Sequence, residues 1–147
     1  MLQVIVPLDF SETSLNAAHY ACAMFKGRTD VTILLYHFYA DEEDVTTAQN
    51  YLTSLKTELL AIAPNIETNV ESGDNFIDSL SAYAHVKTAY MIVMGLTGKT
   101  GLAQRFSGSN TLKMVEKNVC PVLIVPENAK YTKIENVCRC CLLYTSD

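Results

Sequence analysis

Three glycines and a serine recur at fixed intervals in the second half of the chain. Two residues separate Gly95 from Gly98, and nine separate Gly98 from Gly108. Ser109 follows at once, so the pattern is G-x2-G-x9-G-S. Glycine lacks a Cβ, so its backbone can reach positive φ and approach a ligand closely. A helix that begins at this serine would present free N–H groups and a partial positive charge, and the pattern therefore predicts a phosphate-binding loop.

Polar residues around these glycines fit the same chemistry. Asn110 and the Ser109 hydroxyl can donate hydrogen bonds, while Lys99 and Arg105 could neutralise phosphate charge. The alternative is an ordinary loop with turn glycines and a serine that caps a helix. The glycines alone would favour that alternative, but the full spacing between a strand and a helix favours phosphate binding.

Signals for strands and helices alternate along the chain. We expect Ser11 to cap the start of the first helix and Gly27 to end it. We expect Asp74 to cap the third helix. The fourth helix is expected to start at Ser109 and to carry Leu112 and Val115. The acidic stretch 41–44 opens the second helix. Apolar segments predict strands over 4–8, 31–39, 66–71, 89–94 and 121–126.

This alternation predicts an α/β fold, an open parallel sheet with helices on both faces. We expect five strands in the order 3-2-1-4-5. Ligands of such sheets bind beyond the carboxyl ends of the strands, where the strand order reverses. If strands 1 and 4 are neighbours, three segments meet there: residues 7–11, the residues after Phe38, and residues 95–110.

Three separated motifs together resemble the universal stress protein family. They are the opening Val-Ile-Val-Pro-Leu-Asp-Phe-Ser-Glu of residues 4–12, the glycine pattern after a strand ending at Met94, and Cys-Pro-Val-Leu-Ile-Val-Pro of residues 120–126. The resemblance covers residues 1–127 and implies a Rossmann-like fold of the adenine-nucleotide α-hydrolase type. Members that lack this glycine pattern generally do not bind ATP, and this chain keeps it, so the resemblance implies ATP binding. Mg²⁺ would arrive with the ATP phosphates.

The resemblance also implies a set of site residues. The glycines and Ser109 would contact the phosphates and Asp9 the ribose, although Asp9 could equally help to cap the first helix. Pro7 and Leu8 would wall the adenine pocket. Phe38 stands where the family usually has a smaller aliphatic residue, so it could stack on the base or narrow the pocket. The predicted nucleotide-binding residues are Pro7, Leu8, Asp9, Phe38, Met94, Gly95, Gly98, Gly108, Ser109 and Asn110.

The sequence favours a binding module in stress response over an enzyme. It contains no G-x-S-x-G motif, no Walker loop and no S-G-G-x-D-S or H-I-G-H motif of adenylyl-transferring enzymes. No catalytic residues are predicted, and slow ATP hydrolysis is the most that we expect. The alternative function is a non-catalytic assembly module with a vestigial nucleotide site. His37 lies in an apolar strand, which favours a hydrogen-bonded structural role.

Composition and charge limit the classes of partner that we expect. The 147 residues carry a formal net charge of −5 with no basic run, which argues against nucleic acid. No apolar run approaches the roughly 20 residues needed to cross a bilayer, and no leader is recognisable, so we expect a cytoplasmic protein without membrane contact. Five cysteines, an odd number, do not suggest a disulfide framework, and no metal site is predicted.

The chain beyond residue 127 has a different character. Residues 128–140 are expected to form a linker and the start of a second domain, since 134–138 resemble the opening of the first strand. Residues 141–147 match the translation of a transposon-end adapter used in sequencing libraries. In this family the strand at 121–126 commonly builds a dimer, so we expect a homodimer or an intramolecular pairing of tandem domains through it.

Overall fold

The structure, a computed structural model, describes residues 1–40, 45–96 and 108–135, with the backbone alone at 108 and 109. The acidic stretch 41–44, Gly98, Lys99, Arg105 and residues 136–147 therefore lie outside the described residues. The elements, in chain order, are β1 (Leu2–Leu8), α1 (Glu12–Met24), β2 (Val31–Tyr39), α2 (Val45–Leu59), β3 (Ile66–Ser72), α3 (Phe76–Val86), β4 (Met91–Leu96), α4 (Gly108–Glu116) and β5 (Val122–Pro126).

The strands form one parallel sheet of order β3-β2-β1-β4-β5, which confirms the predicted topology. β1 lies at the centre and pairs with β2 from Leu2↔Val31 to Leu8↔His37, and with β4 at Val4↔Met91. Helices cover both faces of such a sheet, so its central strands are mostly apolar instead of alternating with polar residues.

Each face of the sheet has its own core, because successive side chains along a strand point to opposite faces. α1 and α2 cover the face that contains Val6 and Leu8. α3 and α4 cover the face that contains Ile5, Phe38 and Met94. Two consecutive residues at the end of a strand therefore point to opposite faces of the sheet.

The first helix begins as the sequence predicts. Ser11 is its N-cap, and its Oγ accepts a hydrogen bond from the Ser14 N–H at 3.2 Å. Asp9 supports the cap, since its Oδ1 accepts from the Ser11 N–H at 3.0 Å and from the Ser11 hydroxyl at 2.5 Å. Gly27 follows the helix with φ +74°, a conformation that glycine adopts without steric cost.

The cap of α3 differs from the prediction. Asp74 was expected there, but Asn75 is the N-cap, and its Oδ1 accepts from the Asp78 N–H at 3.1 Å. The helix begins at Phe76, and the extended backbone of Asn75 (φ −139°, ψ 115°) aims its side chain at the first turn. Asp74 lies one residue too early to reach the same N–H.

This difference gives a first testable prediction. Asn75→Ala should lower the free energy of unfolding by about 1 kcal/mol, because the Asp78 N–H loses its acceptor. Asp74→Ala is the matched control and should cost less than about 0.5 kcal/mol. Urea denaturation of both variants measures the difference, and equal losses would show that Asn75 is not the functional cap.

α4 also differs from the prediction. It begins at Gly108, one residue before the expected serine cap. Its inward residues are Thr111 and Met114, whereas Leu112 and Val115 are 58% and 46% exposed. These two side chains lie on the outer side of α4, near the edge strand β5. Among the described residues, no further helix or strand follows β5.

The segment after β5 lies against α1. Asn16 Nδ2 donates to the Ala129 carbonyl at 2.9 Å, and the Tyr20 and Tyr131 rings meet edge-to-face at 5.6 Å. Residues 134 and 135 are described and are not in a strand, and the rest of the predicted strand lies outside the described residues. None of the described helices is long and apolar enough to span a membrane.

Candidate functional site

The carboxyl end of β1 is the point where the strand order reverses. β1 has β2 on one side and β4 on the other, and the chain leaves all three strands at the same edge of the sheet. The crevice at such a point is where open α/β sheets bind ligands. Asp9, Phe38 and the start of α4 follow β1, β2 and β4, so the described parts of the three predicted segments lie at the same edge of the sheet.

The β1–α1 turn is fixed by an aromatic stack. Phe10 has φ +63°, a left-handed conformation that is uncommon for a bulky residue. Its ring stacks on His37 with centroids 4.4 Å apart and lies 4.5 Å from Tyr51. His37 is buried, and its Nδ1 lies 2.8 Å from the Leu8 carbonyl oxygen, which confirms the structural role predicted for this histidine.

Asp9 is engaged in the turn, as the capping alternative required. Its Oδ1 holds the backbone N–H and the hydroxyl of Ser11. A carboxylate has two oxygens and about four acceptor sites, so capping leaves capacity for a ribose hydroxyl. The ribose contact stays a prediction.

The predicted adenine wall is divided between the two faces of the sheet. Leu8 is 1% exposed and packs in the core under α1 and α2. Pro7 is buried and, one residue away along the strand, points to the opposite face, where Phe38 and Met94 also lie. The Leu8 side chain therefore does not share a wall with Pro7.

Phe38 is covered by the start of α3. The residue is 8% exposed, and its ring centroid lies 5.7 Å from that of Phe76 at a tilt of 59°. A Cβ on Gly73 would lie 3.4 Å from Phe38 Cε2, so the β3–α3 turn also packs on the ring. Of the two alternatives left open by the sequence, this geometry favours narrowing of the pocket over stacking on Phe38.

Phe76 is a residue that the sequence reasoning missed. It is the first residue of α3, half-buried, and it borders a cleft of about 500 Å³ between α3 and α4. Asn110 in the first turn of α4 borders the same cleft. The available signal was an aromatic residue directly after a helix cap at the carboxyl edge of the sheet.

The structure explains why position 95 is occupied by glycine. It lies inside β4, without a positive φ, and a Cβ there would meet the Thr13 carbonyl oxygen at 2.6 Å and Thr13 Cγ2 at 2.8 Å. The first turn of α1 thus packs directly on the backbone of β4. Met94 is fully buried under α3 and α4. Ligand contact by the backbone of these two residues stays a prediction.

The start of α4 fits a phosphate in two respects. The first turn of a helix has N–H groups without intrahelical partners, and the helix dipole adds partial positive charge. Thr111, also in this turn, is 2% exposed, and its buried Oγ1 has no hydrogen-bond partner among the described residues. An unsatisfied buried hydroxyl is costly, so the Thr111 Oγ1 fits a polar ligand group near this helix end.

The structure offers no sign of a protein-bound metal in the part of the chain that it describes. No group of three or more His, Cys, Asp or Glu side chains there could hold a metal ion. In the cleft between α3 and α4, the Lys117 ammonium and the Asp78 carboxylate form an ion pair at 2.7 Å.

Comparisons with known proteins agree on one family. The model of the universal stress protein family matches residues 1–126. The chain is 24% identical over 145 residues to universal stress protein MJ0531 of Methanocaldococcus jannaschii, covering 87% of this chain and 84% of that protein. The structure of universal stress protein UspA from Lactobacillus plantarum superposes with a TM-score of 0.71 at 19% identity, covering 84% of this chain and 97% of that one. A universal stress protein in complex with cAMP gives 0.66 at 20% identity, with 86% and 97% covered.

Proposed function

The chain belongs to the universal stress protein family, and we propose that it is a stress-response protein that binds an adenine nucleotide, ATP, at the start of α4. The observation that carries the proposal is the position of Gly108. It begins a nine-residue helix at the reversal point of the sheet and closes the G-x2-G-x9-G-S pattern. One structurally similar family member is a complex with cAMP, which is also an adenine nucleotide.

In this proposal the N–H groups of residues 108–110 hold phosphate oxygens, assisted by the Ser109 hydroxyl. Gly98 lets the backbone of the preceding loop approach the phosphates. Asp9 accepts a hydrogen bond from a ribose hydroxyl with the capacity that its capping role leaves. Mg²⁺ would come with the phosphates, since it prefers phosphate oxygens and water to an all-protein site.

Calorimetric titration of the full chain with ATP, with and without Mg²⁺, tests the proposal. We expect saturable binding at one site. Thermal unfolding gives an independent check, because ATP at about 100 times its Kd should stabilise the folded state by roughly 2.7 kcal/mol. A folded sample that shows neither heat of binding nor thermal stabilisation would refute nucleotide binding and favour the assembly alternative.

An exposed edge strand favours the alternative function, the assembly role. β5 is the last strand of the sheet, and Ile124 in it is 41% exposed. The exposed Leu112 and Val115 of the neighbouring helix add apolar surface. Unpaired backbone groups at a sheet edge readily pair with another strand. We propose that β5 pairs with a second copy of the domain, either in a homodimer or in a tandem chain.

Ile124→Lys tests this pairing. A lysine on an edge strand opposes pairing, so the variant should be monomeric at concentrations where the unchanged protein is dimeric. Sedimentation velocity measures the mass. Val86→Lys, at an exposed position of α3, is the control and should leave the mass unchanged. A monomeric unchanged protein would contradict the homodimer, and a dimer that survives Ile124→Lys would contradict the role of β5 in it.

A further inference from the structure

We propose that the side-chain hydroxyl of Thr111 binds the nucleotide by donating a hydrogen bond to a phosphate oxygen. The inference rests on the proposed nucleotide binding and deepens it, because it adds a buried side-chain donor to the backbone N–H groups at the start of α4. It also assigns a cost to this donor: in the absence of a nucleotide, the unpaired hydroxyl lowers the stability of the folded protein.

The environment of Thr111 provides the first argument. The residue is 2% exposed, and its Oγ1 has no hydrogen-bond partner among the described residues. Burial of a hydroxyl without a hydrogen bond costs free energy, so the large majority of buried polar side-chain atoms in proteins are paired. Valine has nearly the shape of threonine and would occupy this position without that cost. A threonine is explained here if a ligand supplies the missing partner.

The direction of the side chain provides the second argument. α4 follows β4 and begins at the carboxyl edge of the sheet, with Thr111 in its first turn. Met114, three residues later on the same side of the helix, is 1% exposed and belongs to the core that contains Ile5 and Met94. Thr111 therefore faces the sheet. Helical side chains lean towards the N-terminus of their helix, so the hydroxyl is directed towards the carboxyl edge, where the strand order reverses.

A phosphate is the ligand group that suits this position. The free N–H groups of the first turn of α4 and the helix dipole favour an anion at this end of the helix. A threonine hydroxyl donates one hydrogen bond, and the charged oxygens of a phosphate are strong acceptors. The hydroxyl and the backbone N–H groups would thus hold the same group from two sides of the first turn.

Thr111→Val in the full chain tests the inference. The variant should bind ATP at least about tenfold more weakly in calorimetric titration, because a hydrogen bond to a charged group is lost. Without ATP it should melt roughly 2–4 °C higher than the unchanged protein, since no unpaired hydroxyl is buried. Thr111→Ser keeps the hydroxyl and should largely retain the affinity for ATP.

Thr32→Val is the matched control for the affinity. Thr32 is 3% exposed and lies near the start of β2, where it pairs with Gln3 at the amino edge of the sheet. The same chemical change at this distant buried threonine should leave ATP binding unchanged.

The outcomes separate this inference from the proposed function. If Thr111→Val binds ATP as tightly as the unchanged protein, the hydroxyl is not a ligand contact, while the phosphate site stands. A Thr111→Val protein that is less stable or unfolded would show that the hydroxyl is paired within the fold, which also overturns the inference. A loss of affinity that Thr111→Ser shares in full would assign the effect to shape instead of the hydroxyl. If the unchanged, folded protein does not bind ATP, the proposed function fails and the inference fails with it.

Discussion

Gly95→Ala is expected to destabilise the domain by about 3 kcal/mol or more, although alanine usually stabilises a strand relative to glycine. The added Cβ would lie 2.6 Å from the Thr13 carbonyl oxygen and 2.9 Å from its carbonyl carbon. Both atoms belong to the backbone at the start of α1, which cannot rotate away as a side chain can. The helix must therefore shift on the sheet, and urea denaturation should show the loss directly.

Two companion variants test this explanation. Thr13→Ala in the Gly95→Ala background removes Cγ2, which would lie 2.8 Å from the new Cβ, but leaves the carbonyl in place, so it should restore little stability. Gly73→Ala should cost less, since its closest contact is the Ser79 hydroxyl at 3.0 Å, which can rotate. Full rescue by Thr13→Ala, or an equal cost at Gly73, would contradict a backbone clash.

The clash expected at Gly95 makes this residue a poor probe of the nucleotide site. Substitution of Gly95 would lower ATP binding by disturbing α1 and β4, whether or not Gly95 contacts the ligand. A glycine that can be changed without such a clash is a better probe of the phosphate contacts. Gly108, the first residue of α4, is where the proposal places a phosphate contact, so we choose it for this test.

Gly108→Val is expected to weaken ATP binding at least about 100-fold, which corresponds to about 2.7 kcal/mol. A branched side chain at the first helical residue would occupy the space next to the N–H groups that the phosphates need. Stability should change little, because valine has a slightly better intrinsic helix propensity than glycine. Calorimetric titration and thermal unfolding of the same sample measure both effects.

Leu112→Ala is the control for Gly108→Val. It changes the same helix at a position that is 58% exposed, so ATP affinity should be unchanged. Gly98→Val should reproduce the loss of binding if the loop between β4 and α4 also approaches the phosphates. A folded Gly108→Val protein with unchanged ATP affinity would refute the phosphate site at this helix.

Much of the fold could be predicted from the sequence because its signals are local. Apolar runs such as Val31–Tyr39 mark buried strands, and the structure confirms that strand at the same bounds. Ser11 acts through its side-chain hydroxyl and Gly27 through its backbone conformation, both locally, so the limits of α1 were also predictable. The order 3-2-1-4-5 followed from alternating strands and helices with right-handed crossovers, together with the assumption that strands 1 and 4 are neighbours.

Tertiary structure alone decided how the predicted site residues are used. The sequence places Pro7, Leu8 and Phe38 near one edge, but pairing and pleat send Leu8 to the opposite core. The sequence marks Gly95 as special without the reason, which is a contact with Thr13, 82 positions away in the numbering. Phe76 meets Phe38 only because α3 returns across the sheet. Local propensity determines which elements form, whereas contacts between distant segments determine which side chains a ligand can reach.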